Sequence, residues 1–234
     1  PNCRSYDATY SYELAVIVQD GVKRMFEDKE NCFYYLTTMN ENYKQPAMPE
    51  GAEAGIIKGI YKFSQGGKAK LRVQLMGAGT ILNEVREAAK ILKETYSVES
   101  DIWSLTSVNE ITREGQQVDR WNLLHPDSKP KRAYLTEQLD GAEGPVGIAT
   151  DYMKNYAEQM RKYIDKPLTV LGTDGFGRSD SREALRSFFE VDRYFITVAA
   201  LKALADEGAI KSSVVSEAIK SFGIDPEKTN PLLV

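Results

Sequence analysis

The chain has 234 residues, with 30 Lys and Arg against 34 Asp and Glu, a net charge of -4, a pI near 5.3 and 42% hydrophobic residues. That balance supplies a core, weighs against nucleic acid, which demands clustered basic surface, and includes no apolar run near the roughly 20 residues of a membrane span. One histidine, His125, and two distant cysteines, Cys3 and Cys32, remove most zinc, Ser/His and Cys/His constellations and give no disulfide framework, so buried reduced thiols are expected.

Pro1 to Tyr10 is polar and aromatic, with no starting methionine and no signal-peptide pattern, and the chain is read as cytoplasmic. Leu14, Ala15, Ile17, Val18, Val22, Met25 and Phe26 form a helical stripe over Tyr12 to Phe26, and Cys32 to Met39 reads as a buried strand. One helix and one strand cannot bury themselves alone. The pair either docks on the rest of the chain or belongs to a larger domain.

Asn40 to Gly55 is the best boundary, because Pro46 and Pro49 interrupt hydrogen-bonded structure and Gly51 and Gly55 add freedom. Ile56 to Phe63 suggests an edge strand, turned by Ser64 to Gly67 into an antiparallel hairpin with the Leu71 strand. Leu71 to Thr106 then reads as strand, tight turn, helix, strand. Leu71, Val73 and Leu75 alternate with polar residues, and Ile81, Leu82, Val85, Ala88, Ala89, Ile91 and Leu92 recur at helical steps. Two strands bridged by such a helix should be parallel. Gly77 and Gly79 tempt one towards a nucleotide, but Leu82 stands where a third fingerprint glycine belongs and no acidic residue closes the second strand.

A short helix is expected near Asp119 to Leu123, ended by His125-Pro126 and followed by a basic loop, Asp127 to Arg132. Pro145 to Thr150 and Leu168 to Gly172 read as further central strands, with a helix over Tyr152 to Tyr163 between them. The loop Thr173 to Arg182 leaves the carboxyl end of a strand, where open α/β sheets place ligands. Asp180 and Glu183 read as a capping box for a helix over Ser181 to Phe189. Arg178 and Arg182 could meet an anion or a second subunit's carboxylates, and Asp174, Asp180 and His125 complete the set of candidate contact residues. Helices over Asp192 to Glu207, capped by Asp192, and over Ser212 to Phe222 close the chain.

The strings Asn40-Glu41-Asn42-Tyr43, Pro46-Ala47-Met48-Pro49-Glu50-Gly51, Asp119-Arg120-Trp121-Asn122 and Gly172-Thr173-Asp174-Gly175-Phe176-Gly177-Arg178-Ser179-Asp180-Ser181-Arg182 resemble the C-terminal part of the homodimeric bacterial pyruvate dehydrogenase first component. The resemblance runs along the whole chain. It implies a transketolase-like parent in which residues 1–43 are the tail of a pyrimidine-binding domain, 44–55 a linker and 56–234 the C-terminal domain. That domain would be an open three-layer α/β sandwich with a mainly parallel five-stranded sheet and one antiparallel edge, preceded by a helix-strand remnant.

The resemblance also implies a parent that uses thiamine diphosphate and Mg2+ to decarboxylate pyruvate and pass the acetyl unit to the lipoyl group of an acetyltransferase component. The family's activating glutamate, its GDG-type metal site and its several histidines match no position here, since the chain has no GDG string and one histidine. No catalytic, cofactor or metal residue is therefore carried over, and no cofactor is expected in this piece. Partners implied are a second copy and the acetyltransferase component, with no nucleic acid or membrane. A free-standing nucleotide-binding domain, resting on Gly77 and Gly79, and an interaction module, resting on the Arg178 to Arg182 loop, stay open as alternatives.

Overall fold

The computed structural model describes all 234 residues, Pro1–Val234. Strand β1 (Cys3–Asp7) leads into helix α1 (Ser11–Val22), whose last turn widens into a π-helical segment, Lys23–Glu27, before strand β2 (Phe33–Thr37). The two strands pair in parallel, from Cys3 opposite Phe33 to Asp7 opposite Thr37. The opening unit is thus β-α-β rather than helix-strand, and β1 escapes a hydrophobicity reading because only Tyr6 and Asp7 of its residues are buried. Nor is β2 a buried strand. Its side chains alternate, so Phe33 and Tyr35 stay 51% and 61% exposed on the face away from α1. Cys3 and Cys32 are free thiols and only half-buried.

Residues 38–49 run without regular structure, and helix α2 (Glu53–Lys58) begins inside the stretch expected to be linker. Strands β3 (Ile60–Ser64) and β4 (Arg72–Ala78), helix α3 (Ile81–Tyr96) and strand β5 (Glu99–Leu105) follow, with β4 and β5 parallel from Arg72 opposite Glu99 to Ala78 opposite Leu105. Next come helices α4 (Val108–Leu124) and α5 (Tyr134–Gln138), strand β6 (Val146–Ala149), helix α6 (Lys154–Glu158) with a 3-10 turn at Arg161–Tyr163, and strand β7 (Leu168–Leu171). Helices α7 (Arg182–Phe188), α8 (Arg193–Asp206) and α9 (Ser212–Ser221) and a 3-10 turn at Pro231–Leu233 complete the chain.

The five-stranded sheet has the order β3-β5-β4-β6-β7 and is parallel except for β3. The edge strand is antiparallel as expected, but its partner is β5 and no hairpin with β4 forms. Strand β4 is central, with β5 and β6 on its two sides, so neither edge is left for β3. Helix α4 is also far longer than expected. The Ser107 hydroxyl accepts from Glu110 N at 3.0 Å, starting the helix eleven residues ahead of the Asp119 to Leu123 segment. The helix expected over Tyr152 to Tyr163 breaks into α6 and its 3-10 turn.

Alternation along β4 sorts the core into two layers. Val73 and Leu75 point towards α3 and α8, where Leu82, Val85, Leu92, Leu201 and Leu204 are buried. Met76 lies in the opposite layer with Trp103, Val108, Ile111, Leu135 and Ile148. Gln74, also fully buried, accepts the Trp103 indole N–H at 2.9 Å through its side-chain oxygen and donates to Glu143 O at 2.9 Å. Each fully buried leucine here contributes on the order of 1.5–3 kcal/mol. The sheet therefore has helices on both faces, as a mostly parallel sheet requires.

Candidate functional site

The strand topology places a crevice. From β4 the chain leaves through α3 on one face of the sheet, whereas from neighbouring β6 it leaves through α6 on the other. Connections that diverge in this way open a gap at the carboxyl ends of the two strands, the usual ligand position in open α/β sheets. A cleft of about 360 Å³ lies there. Thr80 and Ile81 border it beyond β4, Asp151 beyond β6, and Thr173, Gly175, Gly177 and Arg178 beyond β7. Met39, Asn40 and Glu41 of the extended segment and Arg182 and Arg186 of α7 close the sides.

The loop after β7 is held at both ends. Asp174 Oδ1 accepts from Lys154 N at 3.1 Å, and the Thr173 hydroxyl donates to Asp151 O. Gly175 has φ +93°, and a Cβ there would lie 2.2 Å from Pro231 O, so the loop turns tightly beneath the C-terminal segment in a way only glycine allows. The helix cap differs from the expected box. Ser181 accepts from Ala184 N at 3.2 Å, while Asp180 Oδ1 accepts from Ser181 N at 2.7 Å, one residue too early to serve α7.

An alternating row of charges runs from the cleft along α7. Arg182 Nη2 donates to Asn40 Oδ1 at 2.6 Å, and its Nε lies 3.8 Å from Glu41. Arg186 bridges Glu41 and, at 3.3 Å, Glu84. Glu84 in turn accepts from Arg193 Nε at 2.9 Å, Nη2 at 3.0 Å and backbone N at 3.1 Å. Burial pushes the Glu84 carboxyl up, but the hydrogen bonds and charge of Arg193, with Arg186 behind them, outweigh it and hold Glu84 below the ordinary carboxylate value. Asp151 moves the other way. Desolvation by the surrounding loops raises it, with a smaller push from Asp7, although the residue keeps solvent contact.

Of the residues singled out by sequence, Arg178 and Arg182 line the cleft, Asp174 braces its loop against Lys154, and Asp180 bonds its own neighbour. His125 lies apart, stacked on Trp121 at 4.4 Å with Nδ1 2.8 Å from Trp121 O. Sequence reading missed Glu41, Glu84, Arg186 and Arg193. The signal for one was present, since Arg182 and Arg186 stand four apart on one helical face. Glu41 and Glu84 reach that face only through tertiary contact.

The N-terminal β-α-β unit is bonded to the large sheet at several points. Glu13, fully buried, accepts from Thr9 N at 2.5 Å, Tyr10 N at 2.9 Å, Tyr61 OH at 2.6 Å and Ser104 Oγ at 2.6 Å. Burial raises its carboxyl above the ordinary value in spite of those donors. Asp7 accepts the hydroxyls of Tyr152 at 2.7 Å and Tyr156 at 3.0 Å, and Asp7 N donates to Thr106 O at 2.7 Å.

The same docking fills the Gly77-Ala78-Gly79 turn. The Thr9 hydroxyl donates to Gly79 O at 2.7 Å, Met39 Cε is 3.2 Å from where a Gly79 Cβ would sit, and Leu82 Cα is 2.7 Å from where a Gly77 Cβ would sit. The turn packs against protein, so its glycines serve close approach. No three His, Cys, Asp or Glu side chains gather into a metal-holding group. Such a cluster is what an all-protein Mg2+ site would require.

A family model described as the pyruvate dehydrogenase E1 component middle domain matches residues 1–46, and one described as the transketolase-like TK C-terminal domain matches residues 59–192, more than half of the chain. The chain belongs to the transketolase-like C-terminal domain family. This transketolase-like chain is 58% identical to the pyruvate dehydrogenase E1 component of Pseudomonas aeruginosa over 234 residues, covering 99% of the chain and 26% of the relative. The enzyme of the same name from Escherichia coli K12 is 54% identical over 235 residues, covering 100% of the chain and 26% of the relative. The resemblance to the pyruvate dehydrogenase first component thus holds along the whole chain, which spans about a quarter of the length of these relatives. Among solved structures, transketolase from Campylobacter jejuni superposes with a TM-score of 0.58 at 15% identity, covering 86% of this chain and 26% of that one. A split-gene transketolase gives 0.55 at 16% identity, covering 88% and 59%. These last two show the fold alone. No helix is long and apolar enough to cross a membrane.

Proposed function

We propose that this chain is the structural end of a pyruvate dehydrogenase first component, with residues 1–43 as the tail of the pyrimidine-binding domain, 44–55 as linker and 56–234 as the C-terminal domain. The whole enzyme decarboxylates pyruvate with thiamine diphosphate and Mg2+ and hands the acetyl unit to the lipoyl group of an acetyltransferase component, the cofactor acting as electron sink. This portion holds domains in register and contributes to contact between two copies or with the acetyltransferase component. It does not itself carry out the chemistry.

The observation that supports this reading best is the identity along the whole chain, with a middle-domain match followed by a C-terminal-domain match in one polypeptide. The interlock through Glu13 and Asp7 suits a packing role, because it fixes the end of one domain onto the next. The exposed Phe33 and Tyr35 on one face of β2 suit contact with further protein. Lipoyl-domain acetylation by the purified chain, compared with the enzyme encoded by its complete gene, tests the reading. Activity is expected only from the latter. Turnover by the chain alone, or a complete gene unrelated to thiamine enzymes, would refute it.

A further inference from the structure

The crevice at the ends of β4 and β6 holds more hydrogen-bond donors than the protein itself satisfies. Of the loop residues that line it, Gly175, Gly177 and Arg178 have backbone N–H groups that donate to no protein acceptor and stand open to solvent. Thr80, on the opposite wall, is 4% exposed, and its N–H also lacks a protein acceptor. Such a buried orphan donor is costly unless something completes it. Arg178 has no carboxylate partner. Its guanidinium lies 5.3 Å from the centre of the Phe188 ring, an arrangement that holds the charge in place.

The carboxylates on the cleft wall are few. Glu41 is taken by Arg186 and Arg182, which leaves Asp151 as the one other carboxylate on the cleft wall. Arg186 is held by Glu41 and Glu84 and Arg182 by Asn40 and Glu41, so Arg178 is the cleft guanidinium left without a carboxylate, beside a space of about 360 Å³ suited to a small molecule. Successive backbone N–H groups beside fixed guanidiniums recognise anion oxygens. We propose that the cleft binds a small anion bearing a carboxylate or phosphate group, with Arg178, Arg182 and the N–H groups of Gly175, Gly177 and Arg178 as its donors. The site is independent of the decarboxylation reading, since it rests on this chain's own cleft.

Calorimetric titration of the purified chain with malonate and, separately, with inorganic phosphate tests the site, at constant ionic strength and with chloride as control. Saturable binding of at least one anion in the millimolar range or tighter is expected, and the tighter of the two identifies the headgroup. Arg178→Met should weaken it by about tenfold, and Arg178→Lys by less, while circular dichroism and the thermal midpoint stay unchanged. Arg182→Gln provides a second variant should the first perturb folding. Absence of saturable heat from both anions, equal competition by chloride, or unaltered affinity in both variants would overturn the proposal. Loss of acetyltransferase-component capture in Arg178→Met without any anion binding would also overturn it, assigning the guanidinium to a protein contact.

Discussion

The Glu13 carboxylate accepts the Tyr61 hydroxyl at 2.6 Å, and this bond joins α1 of the small β-α-β unit to edge strand β3 of the large sheet. Ser104 of β5 donates to the same oxygen at 2.6 Å, while Thr9 N and Tyr10 N occupy the other. One side chain thereby ties together three segments that are distant in sequence.

Replacing Glu13 by Ala removes the acceptor and leaves these donors unpaired in the interior. A loss of about 2–4 kcal/mol is expected, read as a lower urea midpoint in equilibrium unfolding. Glu13→Gln should recover part of it, because the amide oxygen still accepts.

The pH dependence of Glu13 and Glu84 should have opposite signs. Burial raises Glu13, so its favourable contribution is present below the unfolded value near 4.5 and is lost as pH rises through its folded value. Glu84 ends below its ordinary value, so its contribution is present above 4.5 and is lost as pH falls through its folded value. Subtracting the stability–pH curve of Glu13→Gln from that of the native chain should give a difference that shrinks with rising pH. The same subtraction for Glu84→Gln should give one that grows.

Glu84 itself is buried, but Arg193 remains partly in solvent, which screens the pair. Glu84→Ala is expected to cost about 2 kcal/mol and to loosen α7 and α8 together. Hydrogen exchange should show faster exchange in both helices, with little change in α4 on the far face of the sheet.

Gly175→Ala should distort the loop beneath Pro231. The positive φ and the 2.2 Å approach to a carbonyl oxygen leave no place for a Cβ without movement. A cost of about 1–3 kcal/mol is expected, with faster limited proteolysis between residues 173 and 181. Gly177→Ala is the control, because nothing lies within 4 Å of its Cβ position, and it should cost less.

Strong periodicity made β4, α3 and β5 legible, including the parallel direction of the two strands, since Val73, Leu75, Leu82, Val85 and Leu92 are apolar where the fold buries them. Strand β1 was not legible. Its stabilisation comes from pairing with β2, and its buried Asp7 is satisfied by tyrosines 145 and 149 positions away. Helix α4 was truncated in the reading because Gly115 and its polar neighbours weaken the pattern. In the structure Gly115 makes room for the Tyr163 ring, whose nearest atom lies 2.4 Å from a Cβ position. The partner of β3 could not be read from local turns, because the choice of β5 follows from β6 occupying the other side of β4. Arg178 and Arg182 were legible as cleft residues, whereas the acids that pair the α7 arginines arrive from Glu41 and Glu84 through folding.

Calorimetric titration of thiamine diphosphate with Mg2+ into the purified chain tests most directly whether this polypeptide is a scaffold rather than a reaction centre. No saturable heat is expected, because the glycine turn is packed by Thr9, Met39 and Leu82 and no acidic group gathers to hold the metal. Binding in the micromolar range would contradict the account.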